Sequence, residues 1–202
     1  NGGNYKDRYK VLAEIRKALE DGDRQKAKRL AERNLVGPNN AQYGRYLAFG
    51  DVFMVFNNQK KGLENVTDYY RGLDISEAIT TTSYTQDGTS FKRETFSSFP
   101  DDVTVTHLSK KGNKTLDFTL WNSLTEDLIA NGQYSWDNSN YKKGTVSVDS
   151  NGILLKGTVK DNGLQFASYL GIKTDGQVTA QDGYLTVTGA SYATLLLSAK
   201  TN

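Results

Sequence analysis

The sequence predicts a mainly β protein: a large antiparallel β-sandwich preceded by an N-terminal helical hairpin. From residue 42 onward, short runs of alternating apolar and polar residues recur, and turn dipeptides such as Asp87-Gly88 and Asn151-Gly152 separate them. A period of two is typical of strands with one buried face. No helical pattern lies between these runs, which favours antiparallel packing over a parallel sheet. Residues 4–36 show the three-to-four spacing of helices instead.

Two amphipathic helices joined by a tight turn are predicted over residues 4–36, packed against the sandwich. Apolar residues recur at helical spacing in the first helix, which would place them on one face: Tyr5, Tyr9, Leu12, Ile15 and Leu19. The second helix, from about Asp23 to Leu35, has its own set: Ala27, Leu30, Ala31 and Leu35. Acidic residues at the turn between the helices are interpreted as capping and solvation.

Strands and hairpins are predicted throughout residues 42–202. The stretch from Ser83 to Phe91 reads as a hairpin, because Asp87-Gly88 readily adopts the positive φ angles of a two-residue turn. The segment from about Asn122 to Tyr141 is the least regular part, and we expect a long loop or short insertion there. Trp136 lies in this polar segment, so we expect it to be exposed.

Composition and charge exclude several functional classes. The 202 residues include no cysteine, so disulfides, thiolate catalysis and cysteine-based metal sites are excluded. The net charge is +2, and the chain has no dense basic patch with interleaved aromatic residues, so no nucleic-acid partner is expected. No apolar stretch approaches the length of about 18 residues that a membrane span needs, so no membrane span is expected.

No catalytic, cofactor-binding or metal-ligating residue is predicted. The one histidine, His107, alternates with Val103 and Val105, which indicates a partly buried structural residue on a strand. A single histidine without cysteine or clustered carboxylates makes a poor zinc site. Phosphate-loop and dinucleotide motifs are absent from the sequence. Strand carboxylates such as Asp74, Glu94 and Asp117 should face away from the core, solvated and unperturbed by burial.

Aromatic residues provide the other candidate site. An exposed aromatic face flanked by polar groups can bind a sugar, and Trp136 is the best candidate for such exposure. Trp121 is expected to pack within its strand instead. Tyr43, Arg45 and Tyr46 cluster just before a strand, and residues of these types are favoured at interfaces.

Three passages resemble the N-terminal domain of glycoside hydrolase family 95, the α-1,2-L-fucosidases. The first is the helix pair followed by Tyr43-Gly44-Arg45-Tyr46-Leu47-Ala48-Phe49-Gly50-Asp51. The second and most specific runs from Asp68-Tyr69-Tyr70-Arg71-Gly72-Leu73-Asp74 through the Asp87-Gly88 turn to Arg93-Glu94. The third runs from Gly163-Leu164-Gln165-Phe166 to the strand ending near Thr201. Together they span nearly the whole chain in order.

The resemblance implies a fold of the super-sandwich kind and a non-catalytic role. Residues 1–202 would be a single fragment of the N-terminal domain of a bacterial α-L-fucosidase-like enzyme, inactive alone. That domain would pack against a C-terminal helical (α/α)₆ barrel, which would carry the catalytic groups and act on a fucosylated glycan. Tyr43, Arg45, Tyr46 and Trp136 would then contact the barrel or the sugar.

Two alternatives to this role remain open at the level of sequence. The chain could be a stand-alone carbohydrate-binding module of a surface protein, or a purely structural protein–protein domain. We expect a secreted or cell-surface bacterial location, with a cytoplasmic one left open. The choice between L-fucose and L-galactose as the parent's sugar is open as well.

Overall fold

The chain divides into two compact units, Asn1–Leu47 and Ala48–Asn202. The computed structural model describes residues 6–35, 49–56, 65–123, 142–160 and 162–202, together with the backbone of residues 134–138. The first unit is helical, and the second is built from antiparallel strands. The predicted fold class, mainly β with an N-terminal helical hairpin, is confirmed.

The helical unit contains a short 3₁₀ helix, Arg8–Val11, followed by α1, Leu12–Glu20, and α2, Arg24–Asn34. Asp23 caps α2, because its carboxylate accepts a hydrogen bond of 2.9 Å from the backbone N–H of Lys26. The capping role expected for the acidic turn is therefore confirmed at Asp23. Asn4, Tyr5 and the residues from 36 to 48 lie outside the described residues.

The buried face of the helical hairpin differs in part from the predicted one. Ile15, Ala18 and Ala27 form its core, whereas Tyr9 is 65% exposed and Leu19 is 55% exposed. Tyr9 lies in the 3₁₀ helix, whose three residues per turn move it off the face of the α-helical residues that follow. At the other end, the small side chain of Ala18 is buried in place of Leu19.

Thirteen strands make up the described part of the second unit. In chain order they are β1 (Val52–Phe56), β2 (Val66–Asp74), β3 (Ile79–Gln86), β4 (Thr89–Ser98), β5 (Val103–Lys111), β6 (Leu116–Asn122), β7 (Tyr134–Asn138), β8 (Lys142–Asp149), β9 (Gly152–Val159), β10 (Gln165–Thr174), β11 (Gln177–Gln181), β12 (Tyr184–Ala190) and β13 (Tyr192–Thr201). They form a four-stranded sheet in the order β1-β6-β12-β11. The remaining strands form a nine-stranded sheet in the order β2-β3-β4-β5-β13-β10-β9-β8-β7.

The predicted hairpin at Asp87-Gly88 joins β3 to β4. Both turn residues have positive φ angles, 47° for Asp87 and 75° for Gly88, as a type I′ turn requires. Register runs unbroken from Gln86 opposite Thr89 to Thr80 opposite Thr95. The turn residues and the alternating strands on either side both fit a hairpin, so the predicted hairpin is confirmed.

The core lies between the inner faces of the two sheets. Alternate residues of β6 and β12 are at most 1% exposed: Leu116, Phe118, Leu120, Leu185 and Val187. The nine-stranded sheet contributes buried residues from β5, β8, β9, β10 and β13: Leu108, Val146, Ile153, Leu155, Leu170, Ala193 and Leu195. This period-two pattern of burial fixes which side chains of each strand face inward.

The loop expected between about Asn122 and Tyr141 is corrected at residues 134–138, whereas residues 124–133 and 139–141 lie outside the described residues. β6 extends to Asn122, and β7 occupies Tyr134–Asn138, where it pairs in antiparallel register with β8. A strand of only five residues among Asn and Asp residues leaves a weak sequence signal. Its backbone hydrogen bonds come from β8, a partner that periodicity alone does not identify.

Candidate functional site

The four predicted contact residues differ in what the structure says of them. Tyr43, Arg45 and Tyr46 lie outside the described residues, so their predicted role stays a prediction. Trp136 lies in β7, directly opposite Gly144 of β8. It was expected in a polar loop, and that placement is wrong, because the surrounding backbone forms the end strand of the nine-stranded sheet.

His107 is half-buried in β5, as predicted. Its Nδ1 atom lies 2.9 Å from the hydroxyl oxygen of Thr194 on the neighbouring β13. Its ring stacks on Tyr192 with 6.3 Å between the centroids. The side chain belongs to the outer face of the nine-stranded sheet, because the next residue, Leu108, is the one that enters the core. These contacts join two strands, which is a structural role.

Asp74 and Glu94 form local contacts rather than a catalytic pair. Asp74 ends β2, and its carboxylate accepts hydrogen bonds from the Ser76 hydroxyl at 2.6 Å and the Ser76 backbone N–H at 2.9 Å. The Ser76 hydroxyl lowers the pKa of Asp74 below its usual value. A general acid needs the opposite shift. Glu94 pairs with Lys92 on the same strand at 2.8 Å.

Asp117 is also engaged in structure. One carboxylate oxygen accepts a hydrogen bond of 2.6 Å from the backbone N–H of Gly189, and the other accepts one of 2.7 Å from the Thr115 hydroxyl. The bond to Gly189 joins β6 to β12 where the register between them shifts. In the part of the chain that the structure describes, no group of three or more His, Asp or Glu residues could hold a metal ion.

An apolar row crosses the outer face of the nine-stranded sheet. Phe96, Val105 and Leu196 lie side by side on β4, β5 and β13, and the register continues to Gly171 and Gly152 on β10 and β9. The ring of Tyr169 covers these two glycines, since a Cβ atom on Gly152 would lie 2.9 Å from it. Phe96 is 40% exposed, Leu196 39% and Tyr169 43%. We call Phe96, Val105, Leu196 and Tyr169 the outer row.

The four-stranded sheet has an aromatic row on its own outer face. Phe53 stacks on Trp121 with 5.3 Å between the ring centroids and 22° between the planes, and Tyr184 follows at 5.5 Å. Phe53 covers one face of the Trp121 ring, and Tyr184 contacts that ring at an interplanar angle of 58°. Trp121 therefore packs within its strand, as predicted. Its indole nitrogen is buried and has no hydrogen-bond partner among the described residues.

A cleft opens between β1 and the inner face of β2 to β5, with a volume of about 620 Å³. Arg71, Thr82 and Arg93 form a row across its floor, because Arg71 lies opposite Thr82 and Thr82 lies opposite Arg93. The rest of the lining comes from threonines of β3, β4 and β5 and from Val52, Met54, Gly72, Leu73 and Leu195. This cleft was not predicted from the sequence.

The architecture is a two-sheet antiparallel sandwich, in which the carboxylates of Asp74, Glu94 and Asp117 contact its own turns and strands. The sequence matches the family described as "Glycosyl hydrolase family 65, N-terminal domain" over residues 2–202. The chain therefore belongs to this family of glycoside hydrolase N-terminal domains. It is also similar to "Alpha-L-fucosidase 2" of Arabidopsis thaliana, with 24% identity over 216 residues. The expected glycoside hydrolase N-terminal domain is thus confirmed at the level of the domain class.

The similarity covers 95% of this chain but 23% of the Arabidopsis protein, so the chain spans less than a quarter of that relative. Among the described helices, none is both long enough and apolar enough to cross a membrane.

Proposed function

We propose that this chain is the non-catalytic N-terminal domain of an α-L-fucosidase-like glycoside hydrolase, and that it packs against and shapes the substrate site of a helical catalytic barrel. The outer row carries the proposal. Strands usually place polar residues on a solvated face, and here three large apolar side chains lie exposed together. Contiguous exposed apolar surface of this kind marks a protein–protein contact.

The fucosidase assignment rests on the similarity to the Arabidopsis protein, and the order of motifs that resembles family 95 supports it. L-Fucose and L-galactose both remain candidate sugars for the parent enzyme. Tyr43, Arg45 and Tyr46 belong to the same proposal as contacts to the barrel or to the sugar, and so does Trp136. We further propose a bacterial parent at the cell surface or outside the cell.

Introducing negative charge into the outer row tests the docking role. In the full-length protein, Phe96→Asp with Leu196→Asp should lower kcat/KM and split the thermal unfolding transition in two, because a carboxylate cannot be desolvated at an apolar contact without cost. Phe99→Asp is the matched control, since Phe99 is 96% exposed in the turn after β4. If the double variant and the control behave alike, the outer row does not dock a domain.

Contacts through Arg45 and Tyr46 need a separate measurement. The Arg45→Ala, Tyr46→Ala double variant of the full-length protein should raise KM or weaken domain docking. Unchanged kinetics and unchanged thermal stability would remove these residues from the proposal while leaving the outer row untouched.

The isolated chain should hydrolyse nothing. Glycoside hydrolysis needs a carboxyl pair about 5–5.5 Å apart for retention or about 6.5–9.5 Å apart for inversion, with the acid's pKa raised. The carboxylates of Asp74, Glu94 and Asp117 already bind neighbouring groups of the fold. Purified chain is incubated with 2′-fucosyllactose and with an aryl α-L-fucoside. Fucose release above a buffer blank that disappears when a carboxylate of this chain is replaced would contradict the non-catalytic assignment.

A further inference from the structure

We propose that the cleft between β1 and the inner face of β2 to β5 binds an anionic oligosaccharide, one that bears carboxylate or sulfate groups. The inference goes beyond the docking role and does not depend on it, because the outer row and the cleft lie on opposite faces of the nine-stranded sheet.

Two arginines set the charge of the cleft. Neighbouring strands are about 4.8 Å apart, so the Cα atoms of Arg71 and Arg93, with β3 between them, are about 10 Å apart. In the described part of the chain neither guanidinium has a hydrogen-bond or ion-pair partner, and no Asp or Glu is among the residues that line the cleft. Guanidinium groups are suited to bidentate recognition of planar or tetrahedral anions. The complementary ligand therefore carries at least one negative charge.

Hydroxyl groups fill the space around the arginines. Thr80, Thr82, Thr95 and Thr106 all line the cleft. The hydroxyls of Thr95 and Thr106 are 3.0 Å apart, and the Thr80 hydroxyl donates a bond of 3.1 Å to the carbonyl of Thr95, so these groups are oriented by the sheet. A hydroxyl can both donate and accept, which leaves capacity for a ligand rich in hydroxyls.

Size and context favour a sugar over an acidic peptide. The volume of about 620 Å³ falls within the range of about 300–1,000 Å³ typical of ligand clefts. Val52 and Met54 of β1 supply an apolar wall, which can contact the C–H surface of a sugar ring. Side-chain hydroxyls, rather than a row of backbone groups, dominate the lining opposite this wall. The chain also belongs to a family of glycoside hydrolase domains.

Titration calorimetry on the full-length protein tests the inference. The probes are an oligogalacturonate, a heparin-derived oligosaccharide, a neutral cello-oligosaccharide and a short poly-glutamate. The protein variants are Arg71→Gln, Arg93→Gln and the pair together. The matched control is Lys156→Gln with Lys173→Gln, which removes two charges from exposed positions on the outer face.

We expect at least one anionic oligosaccharide to bind, with affinity that falls as salt rises. Each arginine variant should lose about tenfold in affinity, as expected for a charge-assisted hydrogen bond of about 1.5 kcal/mol. The lysine control should bind like the unmodified protein. Arg71→Lys with Arg93→Lys should recover part of the affinity, because charge returns without the bidentate geometry.

Carboxylated and sulfated probes distinguish the two sources of charge, and preference for either supports the inference. Several results would overturn it: no binding by either anionic sugar, equal binding of the neutral sugar, poly-glutamate binding at least as tight as the sugars, or an equal loss in the lysine control. Unchanged thermal unfolding of the arginine variants separates lost binding from lost folding. A docking failure in the outer-row variants would leave this result unaffected.

Discussion

The inner face of the nine-stranded sheet has two halves with different chemistry. Where β6 and β12 cover β8, β9, β10 and β13, the inward side chains are mainly apolar and almost entirely buried, and the polar residues Lys142 and Ser168 are buried with them. On β2, β3 and β4, beside the cleft, the inward side chains are mainly Thr and Arg, and Leu73 is 60% exposed. In both halves, the alternation of side chains along each strand determines which residues face inward. The covered half is therefore a mainly apolar core, whereas the cleft half presents polar side chains to solvent or to a ligand.

We expect matched leucine truncations in the two halves to give the largest difference in stability. Leu120→Ala removes a fully buried side chain of β6 and should cost about 2–5 kcal/mol of unfolding free energy. Leu73→Ala, the same substitution in the cleft half, should stay within about 0.5 kcal/mol, because the side chain is mostly solvated already. Chemical denaturation of both variants measures the contrast. Equal losses would mean that the cleft half contributes to the core as the covered half does.

His107 tests the outer side of the same sheet. His107→Ala removes the hydrogen bond to Thr194 and the ring contact with Tyr192, and should cost about 0.5–1.5 kcal/mol without changing sugar binding. Combining it with Thr194→Val in a double-mutant cycle isolates the hydrogen bond. The structural assignment fails if stability is unchanged, or if a metal ion binds to the protein and is lost in the variant.

Threonine pairs test whether the cleft half depends on its hydroxyls for stability. Thr106→Val alone leaves the Thr95 hydroxyl without its partner and should cost less than about 1 kcal/mol, because the pair is only partly buried. Thr95→Val with Thr106→Val should be nearly neutral for unfolding, yet it should weaken oligosaccharide binding. Strong destabilisation by the double variant would show that these hydroxyls serve the fold rather than a ligand.

Local features of both halves could be predicted from sequence, but their partners could not. The Asp87-Gly88 turn and the alternation in β3 and β4 follow from neighbouring residues, so the hairpin was predictable. The row of Arg71, Thr82 and Arg93 needs the register of three strands at once, and single-strand periodicity does not supply it. β7 was missed for the same reason, because its pairing with β8 is what defines it as a strand.

Residues on the outer face of the nine-stranded sheet show the same limit. His107 was predictable as a partly buried strand residue because its neighbours alternate, but its partner Thr194 lies 87 positions away. Some glycines are likewise required by contacts with residues that are distant in the sequence. Gly152 allows the Tyr169 ring to lie across two strands, and nothing near Gly152 in sequence indicates that contact.

Acid titration compares one carboxylate at the end of each half, and we expect it to show the smallest difference between them. Asp175, after β10, accepts bonds from the backbone N–H of Ser191 at 2.8 Å and of Tyr192 at 3.2 Å, and from the Ser191 hydroxyl. The hydroxyl contributes most to lowering the pKa of Asp175 to about 2. Asp74 also has a lowered pKa, but its bonds reach only the next three residues. Asp175 thus joins two distant turns, whereas Asp74 orders one.

The sign of the pH effect follows from the lowered pKa. A carboxylate with a lower pKa in the folded state stabilises the fold above its ordinary pKa of 3.8, and this contribution disappears as pH falls towards about 2. Asp175→Asn should therefore lower Tm at pH 7, and its Tm should converge with that of the unmodified protein as pH falls from about 4 to about 2. Asp74→Asn should show a smaller difference, since a local turn can open without separating strands. Ser191→Ala should raise the pKa of Asp175 and narrow the pH range over which the carboxylate loses its stabilising effect. A difference in Tm between Asp175→Asn and the unmodified protein that stays constant across this range would mean that the carboxylate's charge does not hold the covered half together.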